Sequence, residues 1–114
     1  MLTLNIFCDP SGGSGNTVAA NTSFLGGGAE NCIMSNASFA SNFNVLGGGQ
    51  QNAIDPGATH SSIFSGHKNC VAGNCSAILG GANNSDGGLN NVFIAGSGIT
   101  ASLPNMLYAI LRKG

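Results

Sequence analysis

Charge is the property this chain most lacks. Its 114 residues include three Lys or Arg (Lys68, Arg112, Lys113) and four Asp or Glu (Asp9, Glu30, Asp55, Asp86), for a net charge of −1. That leaves no basic footprint for nucleic acid or an anionic membrane surface. Trp is absent, Tyr occurs once and Pro three times. No apolar run approaches the ~20 residues of a membrane-spanning helix. Four acids and two His give no paired carboxylates for acid–base work and no Ser/His/Asp arrangement, so a non-enzymatic protein is expected. The first eight residues, Met1 to Cys8, lack a basic leader and do not read as a signal peptide. Their alternation of Leu2, Leu4 and Ile6 reads as a strand. Low charge does not imply disorder, because 42% of the residues are hydrophobic. It does leave a free monomer poorly protected against association.

What the chain has instead is Gly (19 residues), Asn, Ser and a repeat. The clearest unit is Phe24-Leu25-Gly26-Gly27-Gly28-Ala29-Glu30-Asn31-Cys32-Ile33. Val45-Leu46-Gly47-Gly48-Gly49-Gln50-Gln51-Asn52-Ala53-Ile54 nearly copies it. Ile63-Phe64-Ser65-Gly66-His67-Lys68-Asn69-Cys70-Val71 is one residue shorter in the loop. Ile78-Leu79-Gly80-Gly81-Ala82-Asn83-Asn84 and Phe93-Ile94-Ala95-Gly96 follow. Counted from 24 to 45, 63, 78 and 93, the steps are 21, 18, 15 and 15 residues. So short a period means one supersecondary unit stacked on itself. Gly is too frequent for long helices, at about 1 kcal/mol per interior helix position. The apolar pairs are bounded by Gly and Asn without helical spacing. The expected fold is all-β, a parallel β-helix or β-roll of about five short rungs.

Stacking the units gives columns. The first is Phe24, Val45, Ile63, Ile78 and Phe93, and the next is Leu25, Leu46, Phe64, Leu79 and Ile94. Neighbours on a strand point to opposite faces. One stripe fills the coil and the other lies outside, where an open apolar stripe is a liability unless another chain covers it. These ten residues are therefore the candidate coil core and trimer interface. A turn column is Gly27, Gly48, Gly66, Gly81 and Gly96, where repeated Gly signals positive φ or close backbone approach. An Asn column follows at Asn31, Asn52, Asn69 and Asn84, placed to hydrogen-bond along the stack. Ile33, Ile54 and Val71 form a further apolar position. Ser85-Asp86-Gly87-Gly88 breaks the pattern and reads as a loop variation.

The chain divides into an N-terminal strand and Gly/Ser-rich linker (1–20), a repeat array (21–100) and a C-terminal strand or cap (101–114). Residues 16–21, with Val18, read as a partial first rung. Met34 to Asn42, including Phe39, lengthens the first step, and Asp55-Pro56-Gly57 is a strong turn signal in the second.

The Leu-Gly-Gly-x-x-Asn-x-Ile pattern around Leu25, Leu46 and Leu79, and Ser62-Ile63-Phe64-Ser65-Gly66-His67, resemble the β-roll heads of trimeric autotransporter adhesins. They also resemble β-helical modules of phage tail fibres and other viral fibres. Asn105-Met106-Leu107-Tyr108 resembles the strand that often follows such repeats in phage fibres. The resemblance spans roughly 21–108 and implies a parallel homotrimer without implying a receptor. The chain shows no coiled-coil stalk and no membrane anchor, which favours a virion component. The expectation is a structural module of a viral fibre, spike or capsid-associated protein, located in the virion and contacting other virion proteins. The alternative is an adhesin or receptor-binding head on a bacterial cell surface or a phage tail fibre. There, outward loops such as Gly28-Ala29-Glu30 or Asp55-Pro56-Gly57 would meet a host receptor or glycan.

Other chemistry is weaker. Cys32 and Cys70 share a column and read as small buried apolar residues. Pairing with Cys8 or Cys75 is an alternative among three connectivities that sequence leaves open. His60, His67, Cys70 and Cys75 lie close in sequence, but stacked rungs scatter them, so no zinc site is expected. The triple-Gly runs lack the Gly-Lys-Ser/Thr and the helix of a phosphate loop. The steps lack the six-residue period of a hexapeptide-repeat acyltransferase. The five Thr do not stack into the ranks of an ice-binding face. No cofactor is expected.

Overall fold

A strand of two apolar-rich residues, stopped by Gly on one side and Asn on the other, is too short to pair with its own neighbour by a hairpin. It pairs with the same strand one coil away. The structure, a computed structural model, describes residues 13–18, 23–34 and 43–109. The strand expected over 1–10, Cys8, Phe39 and the basic end of the chain lie outside these residues. All ten strands are parallel to their partners, and no helix occurs among the described residues. The fold is a β-solenoid of about five turns.

Two sheets run along it. One has six strands: β2 (Phe24–Leu25), β4 (Val45–Leu46), β6 (Ser62–Ile63), β8 (Ala77–Gly80), β9 (Val92–Ala95) and β10 (Met106–Ala109). The other has four: β1 (Thr17–Val18), β3 (Cys32–Ile33), β5 (Ala53–Ile54) and β7 (Cys70–Val71). Bridges through Ser85 and Thr100 continue the second sheet. The stack therefore reaches beyond 21–100 at both ends, from β1 to β10.

The register differs from the columns read off the sequence. Leu25 pairs with Leu46, Leu46 with Ile63, Ile63 with Ile78, and Ile78 with Ile94. Ile63 and Ile78 thus fall in the column of Leu25, while Phe64 and Leu79 lie one residue beyond it. Aligning on the first apolar residue fails here, because β6 and β8 open on Ser62 and Ala77 where β2 and β4 open on Phe24 and Val45. Burial decides the register: a one-residue slip would turn every inward side chain out. Leu79 is an extra residue in a bulge between Ile78 and Gly80.

Inside, two aliphatic columns face each other. Leu25, Leu46, Ile63, Ile78 and Ile94 come from the large sheet, and Ile33, Ile54 and Val71 from the small one, all fully buried. Corners before the strands adopt left-handed backbone at non-glycine residues, including Glu30, Gln51, Lys68 and Asn83 on one edge and Phe43, His60 and Cys75 on the other. L-residues pay for this conformation in strain, which the stacked ladders on either side over-determine.

Candidate assembly face

On each strand of the large sheet an inward residue has a large apolar neighbour in sequence that faces outward. Phe24, Val45, Phe64, Leu79, Phe93 and Leu107 consequently line the outer face and are 41% to 70% exposed. The ten residues singled out as core or interface divide evenly. Leu25, Leu46, Ile63, Ile78 and Ile94 are inside, and Phe24, Val45, Phe64, Leu79 and Phe93 are outside. Leu107, on the last strand, extends the outer stripe. No residue of these six strands is charged. The outer face of the small sheet is different: Thr17, Cys32, Ala53, Cys70, Ser85 and Thr100 follow one another along it, all small.

Two polar ladders tie successive coils together. In the first, the Asn column, each side chain acts in both directions. Asn52 Nδ2 donates to Gly48 O and Gly66 O, both at 2.9 Å, and its Oδ1 accepts the Asn69 N–H at 3.0 Å. Asn31, Asn69 and Asn84 repeat the pattern. The column starts one coil earlier, with Asn16 accepting the Asn31 N–H, and ends where Asn84 accepts the Ile99 N–H. Ladder partners are 15, 21, 17, 15 and 15 residues apart, so the basic coil is 15 residues. Sequence reading missed the second ladder: Ser23, Asn44, Ser61 and Ser76, all buried, ending at Val92. Asn44 Oδ1 accepts the Ser61 N–H at 2.9 Å, Ser61 Oγ accepts the Ser76 N–H at 3.1 Å, and Ser76 Oγ accepts the Val92 N–H at 3.1 Å. Its signal was present, as a Ser or Asn two residues before four of the five inward aliphatics of the large sheet, with Val92 in that place before Ile94.

The glycine column follows from the first ladder. A Cβ on Gly66 would lie 2.2 Å from Gly81 O and 2.5 Å from Asn69 Nδ2. Gly81 sits likewise beneath Gly96. On the two earlier coils Gly28 and Gly49 take this place, and Gly27 and Gly48 precede them in the longer loop.

Ser85-Asp86-Gly87-Gly88 is more than a loop variation. Asp86 is buried, and its backbone follows that of the Val71 column. Its Oδ1 accepts the N–H of Ala72 (2.9 Å) and Gly88 (3.0 Å), and its Oδ2 accepts that of Gly73 (2.8 Å). Three backbone donors satisfy a carboxylate that would otherwise be very costly to bury. It pins two successive turns where an aliphatic residue could pin none.

The remaining chemical side chains stand apart. His60 stacks on Phe43 with centroids 5.0 Å apart, and His67 Nε2 lies 3.3 Å from Gln51 Oε1 on another corner. Among the described residues no group of three or more His, Cys, Asp or Glu converges as a metal site. Cys32, Cys70 and Cys75 are free thiols. Ala53 separates Cys32 from Cys70 on the small sheet. Burial, and then the nearby Asp55 carboxylate, push the Cys70 thiol up to about 12, and its Sγ–H donates to Asp55 Oδ2 at 3.4 Å. The same two causes raise Cys32. Neither thiol forms the thiolate that nucleophilic or redox chemistry needs near neutral pH. No helix of the described residues is long and apolar enough to cross a membrane. No family model matches the chain, and neither a curated protein nor a solved structure matches it.

Proposed function

We propose that this protein is a non-enzymatic structural module that assembles with copies of itself into a homotrimer, as part of a viral fibre, spike or capsid-associated protein. The observation that carries the reading is the uncharged stripe of Phe24, Val45, Phe64, Leu79, Phe93 and Leu107 on the outer side of one sheet. An apolar row of this length on a soluble protein marks an interaction surface. Its removal from water stabilises association by roughly 25 cal/mol per Å² of apolar area. The partner is another copy because each copy exposes the same apolar row, and covering it on one leaves it uncovered on the other unless the contact is mutual. The rigid, fully hydrogen-bonded ladders and the lack of convergent catalytic groups among the described residues suit a mechanical part. Size exclusion with light scattering at micromolar concentration is the test. The expected mass is three times the 11.3 kDa of the chain, and a monomer overturns the reading. Phe64→Ser, which leaves the core untouched, should weaken the assembly.

A further inference from the structure

We infer that Tyr108 ends the stack: its side chain takes the place of the coil that would come next and keeps the last rung from serving as a template for one. Tyr108 is in register with Ile94 and continues the inward column of the large sheet. Its ring packs against the buried core, so it covers the last interior layer. Its hydroxyl crosses to the opposite wall, where the chain leaves the buried Ala101. There it accepts the Ser102 N–H at 3.0 Å and the Leu103 N–H at 2.7 Å, and it donates to Leu103 O at 3.0 Å.

The same position on earlier coils identifies what the hydroxyl replaces. The residue after each inward residue of the small sheet points its N–H at the following coil. Met34 donates to Ile54 O at 2.9 Å, and Asp55 donates to Val71 O at 2.8 Å. After Val71 the acceptor is the Asp86 carboxylate, which takes the Ala72 N–H at 2.9 Å and the Gly73 N–H at 2.8 Å. Ser102 and Leu103 stand two coils of 15 residues beyond Ala72 and Gly73. Their acceptor is a phenol oxygen where earlier coils use a carbonyl or a carboxylate. A further coil could bond at this wall only by displacing it. An open sheet edge invites another strand, and an array of repeats needs a terminal unit unlike the rest. Residues 102–109 are that unit. The first polar ladder stops at the Ile99 N–H and the second at the Val92 N–H, so neither reaches it. Every residue in it except Tyr108 is exposed. Burial raises the Tyr108 phenol, but the hydrogen bonds at Leu103 and Ser102 outweigh it and hold the group below its ordinary 10.0, as donors converging on one oxygen do.

Tyr108→Phe keeps the ring and removes only the hydroxyl. Hydrogen exchange should show the Ser102 and Leu103 amides exchanging at least about tenfold faster in this variant, with the Asn69 amide unchanged. Unchanged protection at 102 and 103 overturns the clamp. Loss of protection at Asn69 as well overturns a role confined to the end. Tyr108 is the only Tyr and Trp is absent, so tyrosinate absorbance reads this residue alone. It should titrate below 10.0 in the folded protein and at about 10 in urea; identical midpoints overturn the clamp. Light scattering over time reads the stop itself. The parent should hold a fixed mass, while Tyr108→Phe should gain mass with time and concentration as copies add end to end. Equal and fixed masses overturn the stop. The lateral contact proposed above is read from the mass of the parent alone, so the two readings fail independently.

Discussion

Asn52→Ala probes the feature on which the stack most depends. The Asn52 side chain is fully buried. It donates to Gly48 O and Gly66 O at 2.9 Å and accepts the Asn69 N–H at 3.0 Å. A weaker contact to Asn31 Oδ1, at 3.2 Å, loses little, because that oxygen keeps the Asn52 N–H at 3.0 Å. Gly66 O likewise keeps the Gln50 N–H at 2.9 Å. The Asn69 N–H loses the acceptor it has here. Three hydrogen bonds at about 1 kcal/mol each, plus the penalty for a buried donor left unpaired, give roughly 4 kcal/mol. That is a large share of the 5–15 kcal/mol typical of a whole domain. Gln51→Ala is the matched control. Its side chain is exposed and bonds Glu30 Oε1 at 3.0 Å, so it should change stability by no more than about 0.5 kcal/mol. Urea unfolding followed by circular dichroism at one fixed protein concentration reads both as shifts in midpoint. An Asn52→Ala protein within about 1 kcal/mol of the parent would refute the ladder as a stabilising element.

Two further predictions concern the turns and the buried thiol. Gly66→Ala drives a Cβ to 2.2 Å from a backbone oxygen at φ +117, and should destabilise by more than about 3 kcal/mol. Gly88→Ala meets open space, so only its left-handed φ of +77 opposes it, and thermal melts should show about 1 kcal/mol. A Gly66→Ala loss no larger than that of Gly88→Ala would remove close approach as the reason for the glycine column. Cys70 titrates in the folded protein at about 12 against an ordinary 9.0. The unfolded chain therefore releases this proton first as pH rises. The contribution of the neutral thiol is fully present below about pH 9 and is lost between about pH 9 and 12. Melting temperature should fall over that window, and less steeply in Cys70→Ser. An identical slope in the two proteins would assign the loss to other groups.

The elements legible in the sequence were those whose chemistry is local. A Gly that recurs beside an Asn announces its own turn, because few other residues fit a site where the next coil's backbone passes within van der Waals contact. The paired apolar residues at Phe24-Leu25 and Val45-Leu46 announced one inward and one outward stripe. The register of the third and fourth coils was not legible. Ser62-Ile63-Phe64 and Ala77-Ile78-Leu79 each offer two apolar neighbours, and local sequence does not say which one faces in. The Ser23–Asn44–Ser61–Ser76 ladder was also hidden, because short polar residues before a strand look like any solvated turn until the coil closes over them.

By itself, then, the sequence determined that this chain stacks a short parallel β unit, that Asn and Gly mark its turns, and that it carries more apolar surface than one interior can take. Only the tertiary structure decided which apolar residue enters the coil on each rung. Packing chooses between adjacent side chains by the space left by the coils above and below, a quantity no single repeat contains. That choice converts two apparent hydrophobic columns into an aliphatic core and an exposed stripe of large apolar residues on the outer face. It also turns Asp86 from a break in a pattern into a buried clasp, since the three N–H groups it accepts come from two different coils.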